Sequence, residues 1–228
     1  MTRCFLSMSI NRQVTQWIQT TYPKPDIDKE WLEQCLNYIH NELNIPPNPF
    51  EPLREAFEHQ ILSSELADST VPGTGLPRNV SRMNDVVLDG PHILVQIVAL
   101  TEIGCSAFQL LQVRRARDEF EMGGIIGLDG EEDEIDGAQG KPKYPRNMLR
   151  FKLSDGHIEA DAIEYRSLPE LELGETPLGY KMLLKNPIIR AGMLWLEPGN
   201  VNLLGGMVEE RAADQDSMFL AGLRERLG

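Results

Sequence analysis

The chain has 228 residues, 22 of them basic and 35 acidic, for a formal net charge of −13 at pH 7. Its 41% hydrophobic and 25% charged content is that of a chain able to bury a core, which excludes a disordered or fibrous protein. So negative a balance argues against a surface that coats nucleic acid or anionic membrane as a whole, and three scattered cysteines (Cys4, Cys35, Cys105) make no disulfide framework.

The acidity is uneven along the chain. Residues 118–136 hold nine acids and no base, whereas 71–117 together with 137–207 hold 14 bases and 11 acids. Residues 1–70 read as a bundle of three helices. Val14, Trp17 and Ile18 form a short apolar stripe that ends at Tyr22-Pro23-Lys24-Pro25. Asp28 reads as the N-cap of a second helix, whose apolar face runs through Leu32, Cys35, Leu36, Ile39 and Leu43 to Pro46-Pro47. A third carries Leu53, Ala56, Phe57 and Ile61. Residues 71–85, rich in Pro, Gly and small polar residues, read as a linker.

From residue 86 to 207 the pattern is that of strands. His92 to Leu100 is a β-rich run; Met148 to Leu153 and His157 to Tyr165 flank Ser154-Asp155-Gly156 as a hairpin. Tyr180 to Leu184, Ile188-Ile189, Met193 to Leu196 and Val201 to Leu204 follow, separated by Asn186-Pro187, Ala191-Gly192 and Pro198-Gly199-Asn200. Short strands with frequent turns suggest a five-stranded antiparallel barrel of the OB-fold kind. Residues 112–147 read as a long insertion loop between barrel strands 1 and 2, and 208–228 as a C-terminal helix that lays Met218, Phe219 and Leu223 on a barrel edge. The fold expected is therefore α+β: a three-helix bundle, the barrel with its insertion, and the last helix.

Chemistry-bearing motifs are sparse. The four histidines (His40, His59, His92, His157) stand at no metal-ligand spacing, and the chain has no C-x-x-C, no H-E-x-x-H and no complete phosphate-binding loop, since Pro142 follows Gly140-Lys141. The reading is thus of a protein that is no enzyme and holds no metal or cofactor. No apolar run reaches the length of about 18 residues that spans a bilayer, so no membrane partner is expected. In the insertion an apolar island, Met122 to Leu128, is embedded among acids, the composition of a segment that orders on a partner. Arg114, Arg115, Phe120, Ile125, Ile126 and Leu128 are its candidate partner-binding residues. Across the barrel, Arg150, Lys152, Arg166, Lys181, Lys185 and Arg190 supply charge beside the aromatics Phe151, Tyr165, Tyr180 and Trp195. Of these cations Lys152, Lys181, Lys185 and Arg190 are candidate DNA contacts. Strand parity points Arg150 and Lys152 one way and Phe151 the other.

Asn147-Met-Leu-Arg-Phe-Lys-Leu-Ser-Asp-Gly156, Ala162-Ile-Glu-Tyr165, Leu168-Pro169 and Gly179-Tyr-Lys-Met-Leu-Leu184 resemble the OB-fold of the RecQ-mediated genome instability protein family. The run from Arg190 to Gly206, a strand, a Pro-x-Asn turn, a strand and a Gly-Gly end, is similar in order and spacing. The length resembles the short fungal form. The resemblance implies a nuclear, non-catalytic partner of topoisomerase III (type IA) and a RecQ-family helicase, acting in decatenation and double Holliday junction dissolution. DNA would then be bound weakly or through the complex. It further implies that the insertion reaches the topoisomerase's DNA gate, and Glu197 and Asn200 in the barrel turn are counted with the partner-binding residues. The alternative from the residues alone is a free-standing single-stranded DNA-binding OB-fold protein.

Overall fold

The computed structural model describes residues 13–46, 48–126 and 140–228. Its helices are α1 (13–21), α2 (Lys29–Asn41), α3 (Phe50–Ser63), the single turn α4 (Leu66–Ser69), α5 (Ala107–Ile126) and α6 (Glu209–Leu227). The strands are β1 (Val86–Val87), β2 (Ile93–Glu102), β3 (Leu149–Ser154), β4 (Glu159–Glu164), β5 (Lys181–Leu184), β6 (Ile188–Arg190), β7 (Met193–Leu196) and β8 (Val201–Gly205).

The N-terminal helices form where the periodicity placed them. The Asp28 carboxylate accepts from the Trp31 N–H at 2.9 Å and so caps α2. Val14, Ile18, Tyr22, Leu32, Cys35, Ile39, Leu53, Phe57 and Ile61 close one core, with Trp17 and Trp31 set edge-on to Phe57. Leu94 of β2 and Leu183 of β5 join that core, so the bundle is seated on the sheet. The stretch 71–85 is packed down rather than loose: Leu76 and Val80 lie in the sheet's own core.

All eight strands form one sheet in the order β1-β6-β7-β4-β3-β2-β5-β8, where five had been expected. Seven of the eight, β2 to β8, answer to the seven runs read as strands, which a five-stranded barrel undercounts, and β1, which was not read, pairs with β6 beyond β7. Two-residue strands carry too little pattern to be seen in a sequence. The pairing is mixed, because β4 and β7 run parallel. Laid flat, β7 and β8 would lie five strand spacings apart, about 24 Å, yet the chain from Leu196 to Val201 spans at most about 18 Å. The sheet must therefore curl. β2 does most of the bending: its first half pairs with β5, its second with β3, and the register slips between Ile97 and Ala99. Inside the curl lie Val95, Ile97, Phe151, Leu153, Ala162, Met182, Ile189, Leu194 and Leu196.

Candidate functional site: the insertion between β2 and β3

The first part of the insertion, expected to be irregular, is the helix α5. Ser106 and Gln109 start it with reciprocal bonds: the Gln109 N–H donates to Ser106 Oγ and the Ser106 N–H to Gln109 Oε1, both at 3.2 Å. The inward face runs through Ala107, Leu110, Arg114 and Arg117, so after one apolar turn arginines take the core-facing positions. An apolar-periodicity reading loses the helix at that point. The S-x-x-Q capping box was the signal that could have found it.

Both arginines are held from elsewhere in the chain. Arg117, 3% exposed, donates to Pro142 O at 3.0 Å, Gly174 O at 3.2 Å and Glu175 at 2.9 Å, and lies over the Tyr144 ring at 5.0 Å. Arg114 pairs with Asp118 at 3.0 Å and with Asp216 of α6 at 2.9 Å. Burial works against its charge, but Asp216 and Asp118 outweigh it and the guanidinium is held above its ordinary value. Arg226 of α6 donates to Glu102 O at 3.0 Å and Cys105 O at 2.9 Å, fixing the foot of α5. The buried Glu102 carboxylate closes the two ends of the insertion together, accepting from the N–H groups of Gly104, Asn147 and Met148 at 2.6, 2.9 and 3.0 Å. Between α5, α6 and β2–β3 remains a cavity of about 770 Å³, lined by Arg114, Arg117, Tyr144, Arg150, Phe219 and Leu223 among others. Of the α6 residues expected on the barrel, Leu223 is buried and Phe219 packs edge-on to Tyr144, while Met218 faces solvent.

Of the candidate residues, Arg115 and Phe120 are exposed on α5, in company with Met122, the first residue of the apolar island, and with Phe108, which the sequence reading did not single out. Arg114 is a structural tie across the helix pair. Ile125 and Ile126 end α5, with side chains outside what is described, and Leu128 lies outside the described residues. Asn200 is buried and builds the turn, its Oδ1 accepting from the Glu197 N–H and its Nδ2 donating to Trp195 O, both at 2.9 Å. Glu197 pairs with Arg166 at 3.2 Å.

The four candidate DNA contacts separate. Lys152 and Arg190 share the outer face of the sheet, aligned across the strands through Asp161 and Met193. Lys185 is partly buried where β5 leads into β6, its N–H donating to Asn200 O at 2.8 Å. Lys181 is corrected outright: it is fully buried, donating to Gly179 O at 2.8 Å and to Leu62 O of α3 at 3.2 Å, beyond the reach of a phosphate. Burial pushes its ammonium down to about 8, against which nearby Glu65 acts. Lysine on a strand reads as a surface cation, and nothing in the sequence marks this one as a clasp between bundle and sheet. Among the described residues no cluster of three or more His, Cys, Asp or Glu gathers to hold a metal ion.

Comparison with known proteins adds the following. Residues 76–218 match a family model described as "RMI1, N-terminal OB-fold domain", and residues 18–69 one described as "RMI1, N-terminal helical domain". The chain is 32% identical over 208 residues to "RecQ-mediated genome instability protein 1" of Xenopus laevis, covering 90% of this chain and 34% of that protein. The Schizosaccharomyces pombe protein of the same name is 27% identical over 217 residues, which cover 88% of this chain and 90% of the relative. The Mus musculus protein is 29% identical over 202 residues, 86% of this chain and 30% of the relative. The chain thus spans about a third of the length of these animal relatives and nearly all of the fission-yeast one.

Proposed function

Because this chain belongs to the RecQ-mediated genome instability protein 1 family, with its OB-fold and its genome-stability role, we propose that it is a nuclear, non-catalytic subunit of a RecQ helicase–topoisomerase III complex. In this reading it docks on the type IA topoisomerase and modulates its DNA gate during decatenation and double Holliday junction dissolution. The observation that carries the reading is α5. On its inner side Arg114 and Arg117 hold it to α6 and to the stretch around Glu175, while Phe108, Phe120 and Met122 stand exposed. A rigid helix that leaves large apolar side chains in water has the makings of a protein-binding edge. The acids that follow, Asp129 to Asp136, suit the basic channel of a DNA-handling partner better than DNA itself.

Titration calorimetry of the purified chain against topoisomerase III is expected to show a saturable complex, and no heat of association at any usable concentration sinks the proposal. Deleting 118–136 is expected to leave the sheet folded and to impair decatenation by the complex. Unaltered decatenation would remove the gating role while leaving the docking intact.

A further inference from the structure

Helix α6 covers the cavity beside α5 without filling it. The helices α2 and α3 each bury three side chains, in 13 and 14 residues, whereas α6 buries one, Leu223, in 19. Beside Phe219, edge-on to Tyr144, it is tied mainly by polar groups. Gln215 accepts from the Leu178 N–H at 2.8 Å and donates to Thr176 O at 3.0 Å. Asp216 accepts from Arg114, Arg211 donates to Glu65, and Arg226 donates to the carbonyls of Glu102 and Cys105. The Asp216 side chain is 66% exposed, and an ion pair so open to water contributes little.

Ala212, Asp216, Phe219, Leu223 and Arg226 all line the cavity, at intervals of four, three, four and three residues, the seam of a helix laid in a groove. Two positions on that side of α6 leave space. Ala212 offers a single methyl group, and a Cβ built on Gly222 would meet nothing within 4 Å. The same cavity is lined by the apolar side chains of Leu100, Phe151, Leu173 and Leu178. About 770 Å³ thus stays open beneath a helix, where a core would be close-packed, and cavities of that size take ligands. We propose that α6 is a strap over a docking seat, and that the seat takes an amphipathic helix of another protein. The groups that hold α6 set the chemistry of that helix. It carries an acid for Arg114, an aromatic ring three residues on for Tyr144, an aliphatic side chain four further, and a cation three beyond for the carbonyls of Glu102 and Cys105. Where α6 has Ala212 and Gly222 it brings large apolar side chains, and so fills the seat and displaces the strap. A second copy of this chain would bring the same alanine and glycine and gain nothing by the exchange. Docking of the topoisomerase through Phe108, Phe120 and Met122 uses the other side of α5 and is not required.

The test is fluorescence anisotropy of the intact chain with labelled synthetic peptides spanning residues 207–228. A peptide carrying Ala212→Leu and Gly222→Leu is expected to bind about tenfold tighter than the native peptide, because its leucines remove apolar area from water. Adding Phe219→Ala and Leu223→Ala to that peptide should abolish binding. In the chain itself, Asp216→Ala loosens the strap and should tighten the enlarged peptide about threefold. Gly222→Leu in the chain fills the seat from within and should weaken the same peptide about tenfold, while slowing amide exchange across α6. No binding of the enlarged peptide to the Asp216→Ala chain, or no gain over the native peptide, overturns the proposal. Equal binding by the peptide that lacks Phe219 and Leu223 does so as well, since the seam would then not be read. Faster exchange across α6 in the Gly222→Leu chain would mean that the space at Gly222 is no part of the seat, and ends the proposal too. A concentration-dependent dimer of the unaltered chain in sedimentation, broken by the enlarged peptide, would give the seat to a second copy and overturn the foreign partner.

Discussion

Strand β3 is entered and left by two very different connections. Toward β4 the chain turns in a few residues, and one side chain fixes it: the buried Asp155 carboxylate accepts from the N–H groups of His157 at 2.9 Å and Ile158 at 2.7 Å, and from Leu76 across the linker. Toward β2 the connection runs from Ile103 to Met148, and its described parts are fixed by groups far away in sequence, Glu175, Asp216 and Arg226. The first connection is encoded where it stands. The second exists only once α6 and the 172–178 stretch have folded against it. A turn so encoded is legible in a sequence; of a helix held by such distant pairs, only the S-x-x-Q box at its start is.

The contrast can be broken most forcibly at the turn. Asp155→Ala strands three N–H donors, that of Leu76 buried and those of His157 and Ile158 part-buried, and a loss of about 4 kcal/mol is expected by urea unfolding. A loss under about 1 kcal/mol would mean that the hairpin holds without its carboxylate. Arg117→Met is expected to cost less, about 2 kcal/mol. Its stronger signature is local: faster amide exchange across α5 with protection in β3 and β4 unchanged. Uniform loosening of the whole sheet would contradict the independence of the two connections.

A smaller effect concerns acid stability. Burial alone would raise the Glu164 carboxyl, but Arg146 and the N–H groups of Leu168 and Leu149 outweigh it and hold it below its ordinary value. A carboxyl so depressed contributes stability that is present above its unfolded-state value and lost as pH falls through the folded one. Glu164→Gln should therefore flatten the acid limb of a stability–pH curve below about pH 4.5, and an unchanged limb would assign the acid sensitivity elsewhere. Least of all, Phe120→Ser, on the exposed side of α5, should change stability by no more than about 0.5 kcal/mol. Calorimetry should nonetheless show weaker association with topoisomerase III, and equal association would remove Phe120 from the docking edge.

Much of the architecture was legible because its signals are local. Asp28 caps α2, the Asp-Gly turn joins β3 to β4, and the alternation of Arg150, Phe151 and Lys152 gives the outward and inward faces as read, Phe151 being buried. What escaped were features that pair residues distant in sequence. β1 is too short to alternate, and its partner β6 stands far along the chain. Lys181 looks like any surface cation until Leu62 of α3 is brought against it. The candidate site divides along the same line. Arg115 and Phe120 are exposed as a binding residue should be, whereas Arg114, adjacent to Arg115 and identical in type, is claimed by Asp216.

The two cysteines within the described residues sit one in each core and neither is disulfide-bonded: Cys35 among the helices, and Cys105 at the foot of α5, where Asn147 Nδ2 donates to its sulfur at 3.1 Å. Burial pushes the Cys35 thiol up to about 12, so in the closed bundle it is shielded both sterically and electronically from alkylating reagents. Each thiol can react only when its own core opens. With Cys4 replaced by serine, pulse alkylation would turn the pair into two separate clocks. One would time the breathing of the bundle and the other the lifting of α5, so a partner that seizes the helix should slow the second clock and leave the first running.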